Sequence, residues 1–291
     1  MNRREFLLTP LAATAQSAGP RFIKGICSTI FPNAMPLVEK FAAAKNAGFD
    51  AIEIRFGDEV NVNSAVDDVK RLGDAAAKAN MMIASMWVSD GLALKGMALN
   101  DPDPAARARG VEVIKKAIGY ATHLNCGALL LVPGRLGSGK RFAVGYQDSW
   151  DRISAEIPKV IPEAEKARVL ITPENVWSKF LLSSIEMRAF IDQFKSPWLQ
   201  SHFDVGNIVQ YGYPQDWILT LGSRIKRVHL KDFNTKFVDL LEGDVDWKAV
   251  MAAFVKVGYR GPMSPEYGWN ASEPGQIDRI SKAVDKIFAM A

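Results

Sequence analysis

Glu174, Asp204, His229 and Glu266 lie at or near the ends of four short apolar runs, RVLITPENV, LQSHFDVGN, IKRVHLKDF and GPMSPEYGW. Burying a polar group without a partner costs about 2–7 kcal/mol, so an apolar strand carries an acid or an imidazole only for a reason. Asp204 and His229, at the same end of neighbouring parallel strands, reach one point in space. Three carboxylates and one imidazole, one from each of four consecutive strands, are hard donors suited to a divalent ion: Mn²⁺, Mg²⁺, Co²⁺ or Zn²⁺. Without an ion the carboxylates would repel one another and their pKa values would rise. A strand-end salt bridge accounts for any one of these residues, but not for four on successive strands.

Other polar and aromatic residues share those strand ends. Glu53 and Arg55 lie on the second strand, Trp87 on the third, and Asn175 and Trp177 on the fifth. His202 and Asn207 accompany Asp204, Lys231 and Asp232 follow His229, and Trp269 follows Glu266. Residues two apart on a strand share a face, which aligns His202 with Asp204 and His229 with Lys231. His202, Lys231, Glu53 and Asn207 are expected to contact substrate, by orienting hydroxyls or stabilising an oxyanion. The alternative for Lys231 is an ion pair with Asp232 or Glu266. Trp87, Trp177 and Trp269 form either an apolar wall against a sugar face or part of the core. The segment PGRLGSGKRFAVGYQ, with Gly134, Arg135, Gly137, Gly139, Lys140 and Arg141, reads as a lid loop or as a phosphate cradle built from backbone N–H groups.

The elements that must position these residues alternate regularly from Phe22 onward. FIKGICS, AIEIRF, MMIASMWV and CGALLLVP read as strands, separated by helices over PLVEKFAAAKNAGF, SAVDDVKRLGDAAAKAN and the segment beginning at Pro104. Ser64 is expected to cap the second helix, Gly48 to stop the first, and Pro104 to open the third. The second half continues with the four apolar runs above, each joined to the next by a helical pattern, DSWDRISAEIPKVIPEAEKA being one unbroken helix. Eight strand–helix units without a composition break predict one α/β domain, a closed (β/α)₈ barrel, over residues 21–291. An open doubly wound sheet is less suitable, because no glycine-rich dinucleotide fingerprint follows the first strand. Active sites of such barrels lie at the C-terminal ends of the strands, where the residues above collect.

PEN on strand five, HFDVGN on six, VHLKDF and EGDVDW on seven, and GPMSPEYG on eight resemble the sugar phosphate isomerase/epimerase family of xylose isomerase-like TIM barrels. That family includes ketose 3-epimerases and ribulose-phosphate 3-epimerases. The resemblance implies one divalent metal, usually Mn²⁺, on Glu174, Asp204, His229 and Glu266. It also implies that Glu174 and Glu266 are the acid/base pair. Two positions depart from the commoner pattern. Asn207 stands where many members have histidine, and Val176 and Trp177 follow Asn175 where free-ketose epimerases often have an Asn-Arg pair.

With these parts, the metal polarises a ketose carbonyl, one glutamate takes the neighbouring proton to give a metal-bound cis-enediolate, and the other returns it from the opposite face. The expected activity is isomerisation or epimerisation of a ketose, keto-sugar or ketose phosphate. A lyase or dehydratase on a keto-sugar would use the same site and lose a substituent instead. A sugar-binding module on an inactive barrel is the non-enzymatic alternative.

Composition narrows the partners. At 291 residues, 48% hydrophobic, 23% charged and net charge +4, the chain has no basic stripe for nucleic acid, and a small-molecule sugar is the expected partner. A homo-oligomer is left open. Cys27 and Cys126 read as buried free thiols. Residues 1–20, with Arg3-Arg4 ahead of a short apolar run and Ala13-Thr14-Ala15, resemble a twin-arginine leader and imply periplasmic or exported location, otherwise a cytoplasmic one. No later run is long enough to span a membrane.

Overall fold

The computed structural model describes residues 22–88, 97–137 and 144–291. The leader-like segment 1–20 and the loop residues Gly139, Lys140 and Arg141 lie outside the described residues. Eight parallel strands alternate with helices: β1 (Ile23–Cys27), β2 (Ala51–Arg55), β3 (Met82–Trp87), β4 (Ala128–Leu131), β5 (Leu170–Pro173), β6 (Ser201–Asp204), β7 (Ile225–Leu230) and β8 (Pro262–Pro265). Ladders run β5-β4-β3-β2-β1-β8-β7-β6. Single parallel bridges, Ile171 with Leu199 and Glu174 with His202, join the two ends, so the sheet closes into the expected barrel. The strands are buried on both faces, as parallel strands under helices must be, which is why β4 reads ALLL. Pro173, Pro262 and Pro265 sit at strand ends, where a missing ladder donor costs least.

The helices are α1 (Leu37–Asn46), α2 (Val66–Lys78), α3 (Pro104–His123), α4 (Tyr146–Glu156), α5 (Ile161–Ala167), α6 (Ser184–Asp192), α7 (Pro214–Leu221), α8 (Trp247–Lys256) and α9 (Gln276–Phe288). Gly48 follows α1 at φ +85°, the left-handed conformation that ends a helix. Asp103 caps α3 through Ala105 N–H, with Pro104 in the first turn. Among the described residues no helix is long and apolar enough to cross a membrane.

Several local expectations are corrected. Ser64 does not cap α2: the cap is Ala65, and the Ser64 hydroxyl accepts from Asn61 N–H at 3.0 Å. The segment after β4 is two helices, because Pro158 and Pro162 cannot supply the N–H groups an unbroken helix needs, and a 3₁₀ turn (Ile157–Lys159) separates α4 from α5. Strand six stops at Asp204, and its expected continuation forms one helical turn, Gly206–Val209. Asp232–Phe233 leaves the barrel to pair antiparallel with Phe237–Val238 in a small ribbon over its mouth. Both cysteines are buried and free, as expected.

Candidate metal centre and active site

The four residues from β5 to β8 converge. Glu174, Asp204, His229 and Glu266 each offer one donor atom, and these atoms lie within 4.8 Å of one another. His229 Nδ1 is 2.9 Å from Glu174 Oε1, 3.0 Å from Glu266 Oε2 and 3.8 Å from Asp204 Oδ2. These spacings suit donors about 2.1 Å from a common small cation, whose neighbouring ligands stand about 3 Å apart. Lys231 already supplies a positive charge there, with Nζ 3.0 Å from Asp204 Oδ2 and 2.5 Å from Glu266 Oε2. Neither oxygen has an aligned hydrogen-bond donor among the described residues, although both are buried. Buried acceptors with charge nearby but no donor suit a cation, so this oxygen-rich group could hold a metal ion.

The electrostatics follow from crowding. Burial pushes Glu174 up to about 7, against the pull of His229. Burial likewise raises Asp204, although Lys231 pulls it down. Burial works the same way on Glu266, but Lys231 and His229 overcome it and hold that carboxyl well below its usual range. Burial opposes a charge on His229, yet Glu53, Cys27, Glu266 and Glu174 outweigh it and raise the ring well above its ordinary value. His202 is driven well below, first by burial and then by His229, whose ring centroid is 4.2 Å away. Neither nitrogen of the His202 ring is bonded among the described residues.

Local structure fixes these carboxylates. β5 and β6 share only isolated bridges, and the Asn175 side chain clasps the seam. Its Nδ2 donates to Asp204 O at 2.8 Å, and its Oδ1 accepts from Asp204 N–H at 2.9 Å. Asn207 closes the other side: its Nδ2 donates to Asn175 O at 3.0 Å and its N–H to Asp204 Oδ1 at 2.7 Å. Glu174 and Asp204 are thus held at a fixed separation. Gly206 is required by close approach, since a Cβ there would lie 2.5 Å from Lys231 Cβ and 2.9 Å from its backbone.

Other expected site residues are spread around this centre. A cavity of about 560 Å³ at the barrel mouth is lined by Trp87, Arg55, Lys231, Glu266, Phe237 and Trp269, among others. Trp177 is outside this lining but stacks on Phe237 at 4.8 Å and donates its indole N–H to Asn207 O at 2.9 Å. Glu53 is 2% exposed, and bonds His229 Nε2 at 2.9 Å from the side away from the ligand group. Asp232 does not pair with Lys231. Its carboxylate accepts from Phe233, Leu241 and Val245 N–H groups and from the Trp247 indole, a full set that makes it the anchor of the ribbon. Arg55 pairs with Asp58.

Sequence reasoning missed Ser85, Thr29 and Phe237. Ser85 donates to Glu53 Oε2 at 2.5 Å, whereas Thr29 and Phe237 line the cavity. Ser85 and Thr29 carry no motif of their own; position near the end of a barrel strand was the only available signal.

Comparison with known proteins agrees with this architecture. Residues 41–287 match the family model of the xylose isomerase-like TIM barrel. The L-ribulose-5-phosphate 3-epimerase UlaE of Salmonella paratyphi C is 27% identical over 278 residues, covering 91% of this chain and 93% of that protein. The D-psicose 3-epimerase of Clostridium cellulolyticum H10, solved with D-tagatose, superposes with a TM-score of 0.81 at 15% identity, over 92% of this chain and 99% of that one. The 3-keto-D-glucoside 4-epimerase YcjR of E. coli gives 0.74 at 13% identity, over 92% and 100%. The chain therefore belongs to the xylose isomerase-like TIM-barrel family and is an enzyme of the isomerase class.

Proposed function

We propose that this protein is a divalent-metal-dependent epimerase or isomerase of a ketose, keto-sugar or ketose phosphate, with Glu174 and Glu266 as its acid/base pair. The observation that carries the reading is the convergence of four donor atoms within 4.8 Å, with Glu266 and Lys231 also lining the 560 Å³ cavity. The named substrates of the relatives share one chemical feature: the inverted carbon lies next to a ketone. A proton on such a carbon can be removed and returned by two carboxyl groups, steps worth roughly 10²–10⁴-fold each.

Glu174, Asp204, His229 and Glu266 would hold the ion, of which Mn²⁺ is the first choice on the family resemblance. When bound, it supplies Lewis acidity that polarises the substrate carbonyl. The remaining work falls to side chains. Glu266, at the cavity wall and held in its ionised form by Lys231 and His229, takes or returns the proton on one face. Glu174, deeper and raised to about 7, does so on the other. His202 and Lys231 orient hydroxyl groups, and Trp87, Phe237 and Trp269 exclude water from the sugar face. The buried Thr29 hydroxyl and Trp87 indole N–H have no partner among the described residues, and a hydroxyl-rich ligand would provide one.

The test is solvent deuterium exchange. Purified protein with Mn²⁺ is offered ketoses, ketose phosphates and 3-keto-glycosides in D₂O. Deuterium at the carbon beside the ketone, lost with chelator and in Glu174→Gln and Glu266→Gln, is the expected result. Failure to exchange into every member of the panel would sink the proposal.

A further inference from the structure

We propose that Glu53, braced by Ser85, is a positioning residue for His229: it holds the ring through its Nε2–H so that Nδ1 presents its lone pair to the ion. The inference rests on the metal reading above. Glu53 comes from β2, which supplies none of the four ligands, and it is not among the residues lining the cavity. Direct contact with substrate is therefore not its role here. Its two oxygens have separate tasks: Oε1 lies 2.9 Å from His229 Nε2, and Oε2 accepts from Ser85 Oγ at 2.5 Å. Cys27 Sγ completes the enclosure, 3.6 Å from both Glu53 Oε1 and His229 Nε2. Glu53, Cys27 and Ser85 are each about 2% exposed.

Glu53 Oε1 stands within hydrogen-bond reach of Nε2, so an N–H kept on that nitrogen has an acceptor in place. The opposite nitrogen faces Glu174, Asp204 and Glu266, so an ion held by that group would take the place of a proton on Nδ1 and leave the Nε2–H with Glu53. A ring free to carry its only N–H on Nδ1 would aim a proton at those carboxylates and compete with a cation for them. Ser85 adds stiffness by fixing which Glu53 oxygen faces the ring. Carboxylate partners of this kind change metal affinity by about 10–100-fold when removed. Cys27, Glu53 and His229 also lie close enough together to suggest a second cation site. Yet these groups already satisfy one another, and burial holds the Cys27 thiol far above its ordinary pKa, in its protonated form.

The experiment measures Mn²⁺ binding by calorimetry, without substrate, in wild type, Glu53→Leu, Glu53→Gln and Ser85→Ala. In parallel, ¹⁵N-histidine NMR is recorded on the Mg²⁺-loaded wild type, in which only three histidines contribute signals. Expected are a protonated Nε2 and a metal-shifted Nδ1 on His229, and a 10–100-fold loss of Mn²⁺ affinity in Glu53→Leu. Glu53→Gln, which can still accept from Nε2–H, should fall within a few-fold of wild type, and Ser85→Ala between the two. Should Glu53→Leu not fold, loss of affinity in Ser85→Ala without loss in Glu53→Gln supports the same assignment. Lower melting temperatures with unchanged Mn²⁺ affinity across the set would overturn it as merely structural. So would a second equivalent of Cd²⁺ bound with thiolate absorption. If wild type binds no Mn²⁺, this proposal and the metal reading fall together; normal wild-type binding with unaffected variants removes this proposal alone.

Discussion

Toward the N-terminal end of the barrel, Lys24 donates to Ser281 at 2.7 Å and Asp285 at 2.6 Å, and Arg227 donates to the carbonyls of Ala84 and Lys226. Tyr259 there gives its hydroxyl hydrogen to Pro262 O at 2.6 Å. At the C-terminal end, Asp204 Oδ2 and Glu266 Oε2 meet Lys231 Nζ without an aligned hydrogen bond, and neither nitrogen of His202 is bonded among the described residues. Lys24, Arg227 and Tyr259 are thus satisfied at one mouth, where Ser201 Oγ is the exception among the described residues, while titratable groups crowd together with fewer hydrogen bonds at the other. Unpaired buried groups cost stability, so the second arrangement is expected where the groups have a ligand to meet.

Changing either mouth should therefore have opposite consequences. The largest effect expected is on turnover: Glu174→Gln or Glu266→Gln should lower it by at least about 10²–10⁴-fold. For Glu174→Gln the metal-free melting temperature should hold or rise, because a carboxyl that burial disfavours has been replaced by a neutral isostere. A large drop in melting temperature would erase the contrast between the two ends. Asn175→Ala tests the seam: it strips partners from the Asp204 backbone, at about 1–3 kcal/mol for each group left unsatisfied, and should weaken Mn²⁺ binding as well. Arg227→Met should cost about 1–3 kcal/mol in chemical denaturation with turnover preserved, the reverse of the glutamate variants.

Smaller effects sharpen the comparison. Mn²⁺ affinity should climb as pH rises through about 7, where Glu174 loses its proton, because a protonated carboxyl competes with the ion. Calorimetry at several pH values measures this, and a flat profile would argue against Glu174 as a ligand. Trp269→Ala, on a residue 40% exposed at the cavity rim, should raise KM a few-fold and leave the melting temperature unchanged.

Much of this was legible in the sequence. Alternating periodicity carried the barrel, and the convergence of Glu174, Asp204, His229 and Glu266 follows from strand order once the barrel is assumed. Less visible was where each side chain points. Glu53 is expected at the mouth as a substrate contact, but it is buried between His229 and Ser85 and is not in the cavity lining. Strand alternation tells which face a residue takes, not how deep in the barrel it lies. Lys231 takes the second of its two ion-pair alternatives, Glu266 at 2.5 Å, rather than its neighbour Asp232. Apart from Phe233 N–H, the donors to Asp232 arrive from nine to fifteen positions later in the chain, through the folded ribbon. Ser64 missed its cap by a single residue, the usual uncertainty of a helix end.

The Asn175 clasp carries a consequence for how such a site can change over generations. A ladder made by peptide groups is little altered by point mutation, since every residue type except proline offers the same N–H and C=O. Between β5 and β6 part of that ladder is replaced by a side-chain amide, with Asn207 beside it. The gap between Glu174 and Asp204 is therefore encoded in two codons. Selection can widen, narrow or loosen the distance between the two carboxylates there without rebuilding a strand, and a barrel of this design can retune its centre one substitution at a time.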